Sequence, residues 1–316
     1  MKILITGSFG FIGFHTSKHF LLNGHQVLGI NNLDSYYNLN LKKSRKNILE
    51  KFTNFSFVCC DINEIEKNID SKFDLAINLA AQPGVRLPKS DNYKYEHSNI
   101  NGFINFLHYC EAKKINKIIY ASSSSVYSGN KLIPYSEEVK LSKPKSFYAH
   151  SKIINEIAAE EFSQRLDVNI AGLRFFTVYG PYGRPDMAYF DFTKKIYMGE
   201  SITLFNNGSS SRDMTYIDDV VRGIDFCSKH LKKSKMPHEV FNIGNENPIQ
   251  TSYLVKTIEN EFMKKAKINF IKNDNEVKKT CADISKAKNL LNFYPQTNFN
   301  DGIKHFFDWF KSFNKL

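Results

Sequence analysis

Near its amino end the chain reads Lys2-Ile3-Leu4-Ile5-Thr6-Gly7-Ser8-Phe9-Gly10-Phe11-Ile12-Gly13, an apolar strand that runs into three glycines. Gly7 supplies the positive φ that a tight turn after a strand requires. Gly10 leaves room for a pyrophosphate to approach the backbone, and Gly13 lets the next helix pack close to the strand, with its amino end favouring the anion. The segment predicts a dinucleotide-binding turn, and the alternative interpretation is a packed turn without a ligand.

Beyond this turn, short apolar runs alternate with segments of helical periodicity. The apolar runs predict strands over Gln26–Asn31, Phe55–Cys59, Leu75–Leu79, Lys117–Ala121 and Asn169–Phe175. The periodic segments predict helices over Phe11–Asn23, Ile100–Lys113 and Tyr148–Arg165. Because such alternation means parallel strands joined by helical crossovers, we predict an α/β fold with a Rossmann-type, doubly wound parallel sheet.

The pattern loosens after Tyr179-Gly180-Pro181. Further elements are predicted as helices over Asp218–His230, Ser252–Lys264 and Asn300–Asn314 and a strand over Val240–Ile243. We predict a dinucleotide-binding domain of residues 1–176 with return segments near 212–243, and a smaller carboxyl-terminal substrate-binding domain of residues 177–211 and 244–316.

Composition limits the class of protein. The chain has 316 residues, 42% hydrophobic and 24% charged, which fits an ordinary globular protein. No run approaches the ~20 apolar residues of a membrane span, and the first strand leaves no room for a signal peptide, so we expect no membrane association. The cysteines show no metal spacing, and we expect reduced thiols in a cytoplasmic protein without a metal. They are Cys59, Cys60, Cys110, Cys227 and Cys281.

The net charge of +11 indicates an affinity for anions, but the lysines are scattered. Two interpretations remain open, namely a solvated lysine-rich surface or an electrostatic funnel for a phosphorylated substrate. No basic patch interleaved with aromatic residues supports nucleic-acid binding, so we expect no nucleic-acid partner.

Tyr148 and Lys152 lie one helical turn apart, a spacing that brings a phenol and an ammonium together. A free phenol has a pKa near ~10, and a nearby ammonium and a cationic nicotinamide ring would both favour the phenolate. The serines of residues 122–125 follow the strand Lys117–Ala121, at the edge where open α/β sheets bind ligands. Together these residues predict alcohol–ketone redox chemistry, and the alternative is a surface Tyr–Lys pair.

These elements resemble the nucleotide-sugar epimerases among the extended short-chain dehydrogenases/reductases. The resemblance includes Asp61-Ile62 after the third strand and Leu79-Ala80-Ala81 after the fourth. Four further segments resemble the UDP-glucuronate 4-epimerases: Ala80–Arg86 (AAQPGVR), Gly172–Pro181 (GLRFFTVYGP), Gly183–Ala188 (GRPDMA) and Ser211–Asp219 (SRDMTYIDD).

The resemblance implies NAD-dependent epimerisation at carbon four of a UDP-sugar, with UDP-glucuronate converted to UDP-galacturonate through a transient 4-keto sugar. It implies that Tyr148 is the catalytic base, that Ser123 matches the catalytic Ser/Thr, and that Lys152 binds the nicotinamide ribose. The other positions that the resemblance implies are Gly7, Gly10, Phe11, Ile12, Gly13, Asn31, Asp61, Ile62, Leu79, Ala80 and Ala81 for NAD, and Arg86, Ser124, Ser125, Thr177, Arg184 and Arg212 for the UDP-sugar.

The chain departs from the family pattern at two places. Asn31-Asn32 stands where the family usually has an acid, and an amide repels a 2′-phosphate less than a carboxylate does. NAD is therefore expected with weaker discrimination against NADP. Residues 273–277 read Asn-Asp-Asn-Glu-Val where the family usually has Gln-Pro-Gly-Asp-Val, so no uridine contact is carried over there.

The resemblance also separates this chain from related enzymes of other chemistry. The 4,6-dehydratases and decarboxylases of the family carry an acid where this chain has Ser124 and Ser125. An Arg184 guanidinium matches a uronate carboxylate, although Arg184 could instead pair with Asp186 and Arg86 could form a loop salt bridge. Two functional alternatives stay open: 4-epimerisation of UDP-N-acetylglucosamine or UDP-glucose, and a non-catalytic dinucleotide-binding regulatory module.

The helices predicted near Ile100–Lys113 and Tyr148–Arg165 flank the sheet, and relatives pair such helices across a two-fold axis. The second helix carries more apolar surface than one sheet contact requires, which indicates a homodimer. The apolar residues are Ile153, Ile154, Ile157, Ala158 and Phe162.

Overall fold

A seven-stranded parallel sheet forms the centre of the computed structural model, which describes residues 1–85, 87–273 and 277–316. The strands, numbered in chain order, are β1 (Lys2–Thr6), β2 (Gln26–Ile30), β3 (Phe55–Val58), β4 (Leu75–Asn78), β5 (Lys117–Ser123), β6 (Asn169–Phe175), β7 (Thr177–Tyr179), β8 (Ser201–Phe205), β9 (Ser211–Tyr216), β10 (His238–Ile243), β11 (Pro248–Gln250) and β12 (Lys267–Ile271). The order across the large sheet is β3-β2-β1-β4-β5-β6-β10, and every neighbouring pair is parallel. The predicted doubly wound Rossmann-type sheet is confirmed.

The helices, numbered in chain order, are α1 (Phe11–Leu22), α2 (Leu39–Leu49), α3 (Ile65–Asn68), α4 (Tyr93–Tyr95), α5 (Gly102–Ala112), α6 (Phe147–Arg165), α7 (Ala188–Met198), α8 (Ile217–His230), α9 (Thr251–Phe262), α10 (Ser285–Leu291) and α11 (Phe299–Asn314). A π-helical turn, Glu96–Asn101, precedes α5. Hydrophobic side chains alternate along the strands, so Ile3 and Ile5 join one buried cluster while Leu4 joins the other. Each face of the sheet therefore has its own apolar core.

Two small sheets follow the sixth strand. One has the order β11-β9-β7 and the other pairs β12 with β8. The helices α2 and α7 and the strands β7, β8, β9, β11 and β12 were not among the predicted elements. Strand β10 returns to the edge of the large sheet beside β6. The domain boundaries at residues 177, 212 and 244 stay a prediction.

The parallel strands end at one edge of the large sheet, as the ligand sites of open α/β sheets require. Strand β5 extends through Ser122 and Ser123, two residues further than predicted, because both pair with β6 at Arg174 and Phe175. Among the described residues, no helix has the length and apolar character needed to cross a membrane.

Candidate active site

A cleft of about 1430 Å³ runs along the carboxyl edge of the large sheet. It is lined by residues from the glycine turn, from the ends of β4 and β5, from α6, from the loop around Arg184 and from β9 at Arg212. The structure brings all the predicted site residues that it describes to the wall of this one cleft. Arg86 lies outside the described residues, as do Asp274, Asn275 and Glu276 of the stretch 273–277 that departs from the family pattern.

The glycine turn leaves no room for a side chain at its glycine positions. Gly7 has a φ of 68°, and the amide of Gly10 donates to the carbonyl of Gly7 at 2.7 Å. A Cβ added at Gly10 or Gly13 would overlap that same carbonyl oxygen. No side chain caps α1 at Gly10, so the first amides of the helix have no side-chain acceptor and can face an anion. A dinucleotide diphosphate fits this turn.

At the far end of the cleft, Asp61 follows β3 and accepts hydrogen bonds. Its carboxylate accepts from the Asn63 amide at 2.9 Å, from Asn32 Nδ2 at 3.1 Å and pairs with His97 Nε2 at 3.1 Å. Burial raises the pKa of Asp61, but these hydrogen bonds outweigh burial and leave the pKa below its usual value. The carboxylate is therefore ionised and held in place at this end of the cleft.

Asn31 directly follows β2, and its side-chain oxygen accepts a hydrogen bond from the Leu33 amide at 2.8 Å. Its NH₂ group can donate to a ligand, and an NH₂ donor does not repel a phosphate. Lys42 of α2 also lines this end of the cleft, with its ammonium on the carbonyl of Asp34. Sequence reasoning missed Lys42, because it lies in a helix that the sequence pattern did not predict.

The phenol and the ammonium both project from α6. Ser146 caps the helix, since its Oγ accepts from the Ala149 amide at 3.2 Å. Lys152 Nζ lies 5.8 Å from the centroid of the Tyr148 ring and donates to the carbonyl of Ala121 at 2.9 Å. Burial lowers the pKa of Lys152 to about 8, against an opposing effect of Glu156. The ammonium is thus held between the end of β5 and the phenol.

Burial and two neighbouring side chains shift the pKa of the Tyr148 phenol. Burial raises the pKa of the phenol and outweighs the charge of Arg184 and a hydrogen bond with Ser123, which both lower it, so the pKa stays above its usual value. Among the described groups, Arg184 is the cation whose charge lowers the pKa of this phenol, and the effect of Lys152 on the phenolate stays a prediction.

A buried polar network lies behind α6. Glu156 accepts from Arg174 Nε at 2.8 Å and Nη2 at 2.6 Å, and from the Ser122 hydroxyl at 2.5 Å. Arg174 also donates to the Tyr127 hydroxyl at 2.6 Å. The network ties α6 to β5 and β6 one turn beyond Lys152. The signal that could have found Glu156 is a carboxylate on the same helical face as Lys152, four residues on.

The π-helical turn Glu96–Asn101 makes a second link to α6. The Asn99 side chain accepts from the Gln82 amide at 2.7 Å and donates to Ser151 Oγ at 3.0 Å, while Asn155 donates to the Asn99 carbonyl at 2.6 Å. The loop after β4 and the helix that carries Tyr148 are therefore fixed by one buried amide.

Arg184 pairs with Asp186, which is the alternative that the sequence leaves open. Its Nε donates to Asp186 Oδ1 at 3.0 Å and its Nη2 to Oδ2 at 2.5 Å, and the Tyr36 hydroxyl donates to the same carboxylate at 3.2 Å. Burial lowers the pKa of Arg184, but Asp186 outweighs it and raises the pKa. The pair uses one edge of the guanidinium, and Arg184 still lines the cleft.

Two further predicted substrate residues, Thr177 and Arg212, lie in the three-stranded sheet β11-β9-β7. Thr177 begins β7, and Arg212 lies in β9, where its Nη1 donates to the carbonyls of Ser211 at 2.9 Å and Val277 at 2.7 Å. Among the described residues there is no group of three or more His, Cys, Asp or Glu side chains arranged to hold a metal.

Comparison with known proteins gives a consistent picture. Residues 3–244 match the model of the NAD dependent epimerase/dehydratase family. UDP-glucuronate 4-epimerase 4 of Arabidopsis thaliana is 41% identical over 335 residues, covering 99% of this chain and 76% of the relative.

Two solved structures from Bacillus cereus are also similar. UDP-glucuronic acid 4-epimerase in complex with UDP-glucuronic acid and NAD has a TM-score of 0.89 and 34% identity, covering 99% of this chain and 100% of that one. A tyrosine-to-phenylalanine variant of that enzyme, in complex with UDP-4-deoxy-4-fluoro-glucuronic acid and NAD, has a TM-score of 0.90 at the same identity and coverage.

Proposed function

The chain belongs to the NAD dependent epimerase/dehydratase family, and from that premise we propose that it is an isomerase that converts UDP-glucuronate to UDP-galacturonate. The observation that carries this proposal is the position of Tyr148, Ser123 and Arg184 on one cleft wall, with the charge of Arg184 acting on the Tyr148 phenol. An acid–base group and a carboxylate-binding group are thereby placed within reach of one sugar ring.

The glycine turn and the groups at the ends of β2 and β3 would hold NAD, which supplies the capacity to accept hydride from carbon four of the sugar and to return it. Gly7, Gly10 and Gly13 would contact the diphosphate, and Asp61 and Ile62 would flank the adenine. Phe11, Ile12, Leu79, Ala80 and Ala81 complete the walls of that half of the cleft. On this proposal residues 1–176 with return segments near 212–243 form the NAD-binding domain, and residues 177–211 and 244–316 form the smaller domain that binds the UDP-sugar.

Proton transfer is the task of Tyr148. Its phenolate takes the proton of the 4-hydroxyl during oxidation and returns it to the 4-keto oxygen during reduction. Ser123 hydrogen-bonds the phenol and can also reach the substrate oxygen, which keeps both in line. Lys152 adds a positive charge between the Ala121 carbonyl and the phenol ring. The 4-keto sugar turns over between the two steps and receives hydride on its other face.

Elimination and loss of carbon dioxide are disfavoured by the serines that follow β5. Ser124 and Ser125 line the cleft where an acid would be needed to drive either reaction. Oxidation of a uronate at carbon four still makes a β-keto acid, which decarboxylates when its carboxylate aligns with the carbonyl π system. The substrate carboxylate must therefore be held out of that alignment.

Arg184 has the free edge for this task. Asp186 takes the Nε–Nη2 edge of the guanidinium, so the edge formed by the two terminal nitrogens can bind a second carboxylate bidentately. Tyr36 and Asp186 hold the fork in position before substrate arrives. The Arg184–Asp186 pair thus supports the uronate as substrate rather than a neutral UDP-sugar.

Tyr148→Phe keeps the ring and removes only the hydroxyl, so the variant should fold and bind nucleotide. Epimerisation should fall by ~100-fold or more, the usual scale for loss of a general base. Conversion of UDP-glucuronate, followed by chromatography of the products, measures this effect. Near-normal turnover in the variant would remove Tyr148 from its assigned role.

Arg184→Ala should lower the affinity for UDP-glucuronate by roughly tenfold to a hundredfold, because a charge-assisted bidentate contact is worth ~1.5–3 kcal/mol. The affinity for UDP-glucose should stay nearly unchanged. Released carbon dioxide and a UDP-pentose should appear, since the carboxylate can now rotate. Calorimetric titration and product analysis provide the two readouts.

The matched control for this test is Arg165→Ala, which removes an arginine from the exposed end of α6, away from the cleft. It should change neither affinity nor products. If Arg184→Ala handles UDP-glucuronate like the parent, the carboxylate is held elsewhere, or the substrate is a neutral sugar such as UDP-N-acetylglucosamine or UDP-glucose.

We further propose a homodimer in the cytoplasm, serving nucleotide-sugar metabolism for polysaccharide biosynthesis. On α6, Ile154 is 38% exposed and Ile157 is 61% exposed, which is apolar surface on the face turned away from the sheet. The five cysteines are free thiols, which agrees with a reducing compartment.

Ile157→Asp should shift the protein from dimer to monomer, because a desolvated carboxylate on each copy would oppose association. Light scattering at micromolar concentration measures the mass. Leu290→Asp, at a site 49% exposed on α10, is the matched control and should leave the dimer intact. A monomer mass for the parent protein would rule out the assembly.

A further inference from the structure

Arg45 of α2 is completely buried, and the oxygens that it binds are all uncharged. Its Nη1 donates to the Phe9 carbonyl at 2.8 Å and to the Tyr37 hydroxyl at 2.6 Å. Its Nη2 donates to the Tyr182 carbonyl at 2.6 Å and to the Gly183 carbonyl at 3.2 Å. Arg45 has no carboxylate partner among the described residues, and burying an unpaired cation costs free energy. A stabilising ion pair therefore does not explain why an arginine is buried here.

The acceptors of Arg45 belong to both halves of the cleft. Phe9 lies between Gly7 and Gly10 in the turn proposed for the cofactor diphosphate. Tyr182 and Gly183 directly precede Arg184, the residue proposed to hold the substrate carboxylate. One guanidinium therefore joins the backbone of the cofactor turn to the backbone that aims Arg184.

His15 of α1 reinforces the same loop. Its Nε2 lies 2.9 Å from the Pro181 carbonyl, and burial lowers its pKa to about 3, so the ring is neutral and donates from this nitrogen. With Arg45, the carbonyls of residues 181, 182 and 183 are all bound by side chains from the two helices that follow the glycine turn.

The loop needs such support because its backbone is strained. Tyr182 has a φ of 56°, a left-handed conformation that a tyrosine rarely adopts. Its ring packs 5.1 Å from Phe14 and 5.0 Å from Trp309 between ring centroids. Strained backbone of this kind persists only where the surroundings fix it, and it is found at binding and catalytic sites.

We propose that Arg45 is a positioning residue for substrate selection: by tying Tyr182 and Gly183 to the glycine turn, it fixes the direction of the Arg184 guanidinium toward the uronate carboxylate. The selection step rests on the proposed function of Arg184. Arg45 does not line the cleft, so its effect passes through the loop backbone rather than through contact with the sugar.

Hydrogen exchange tests the positioning itself, without any substrate. In Arg45→Met the amides of residues 182–184, 186 and 187 should exchange about tenfold faster or more, while those of β4 and β5 keep the parent rates. His15→Phe, which keeps an aromatic ring, should accelerate the same amides to a smaller extent. The matched control is Lys43→Met, which removes a cation from the exposed face of the same helix and should change nothing. Unchanged exchange of residues 182–187 in Arg45→Met would overturn the proposal.

Binding tests the consequence for selection. The ratio of UDP-glucuronate to UDP-glucose affinity, measured by calorimetry, should fall about tenfold in Arg45→Met, with UDP itself bound as in the parent. In an Arg184→Ala background the Arg45→Met change should have no further effect on the ratio, because both act through one contact. If Arg45→Met weakens the binding of UDP-glucuronate and UDP-glucose equally, or if the effects of the two substitutions on the ratio add up, the role of Arg45 is merely structural. Should Arg45→Met fail to fold, Arg45→Lys, which retains the charge but not the fork, and His15→Phe carry the same test.

The outcomes separate this inference from the proposed function. A parent protein with no preference for UDP-glucuronate contradicts the proposed function, and the exchange rates still decide whether Arg45 fixes the loop. A parent that prefers UDP-glucuronate, with the preference intact in Arg45→Met, overturns only the inference.

Discussion

The bidentate pair between Glu156 and Arg174 is the contact on which the geometry of the cleft depends. It is buried between α6 and β6, and the same carboxylate accepts from Ser122 next to Ser123. Breaking such a pair by removing one partner typically costs ~3–5 kcal/mol, because the other charge is left buried and uncompensated. A slide of α6 along the sheet would break it, so the pair fixes where Tyr148 and Lys152 stand against the end of β5.

The parts of this site that sequence reasoning could predict are local. The glycine turn, β5 and α6 are each specified by residues within a few positions of one another, through turn geometry, strand alternation and helical spacing. The parts that it could not predict depend on contacts between distant segments. Arg45 binds carbonyls of Tyr182 and Gly183, and Glu156 binds an arginine on a different strand. Within the described part of the chain, the short strands β8 and β12 pair only with each other, and neither has an alternating pattern long enough to be identified from the sequence by itself.

On the proposed function, substrate choice in this cleft would follow from how Arg184 divides its hydrogen bonds. A guanidinium has more than one edge, and a partner on the Nε side leaves the terminal edge available. Asp186 therefore orients Arg184 rather than blocking it, and the sequence alternatives of a loop ion pair and a carboxylate-binding residue are compatible. The same charge also lowers the pKa of the Tyr148 phenol against the larger effect of burial, and on the proposed function this would couple substrate recognition to proton transfer.

On the proposed mechanism, hydride leaves carbon four of the sugar and returns to the same carbon within one closed cycle. The most direct measurement uses UDP-glucuronate carrying deuterium at carbon four, in ordinary water, with the product examined by mass spectrometry and NMR. The expected product is UDP-galacturonate that retains the deuterium at carbon four. A product with hydrogen at that carbon, or no galacturonate at all, would contradict it.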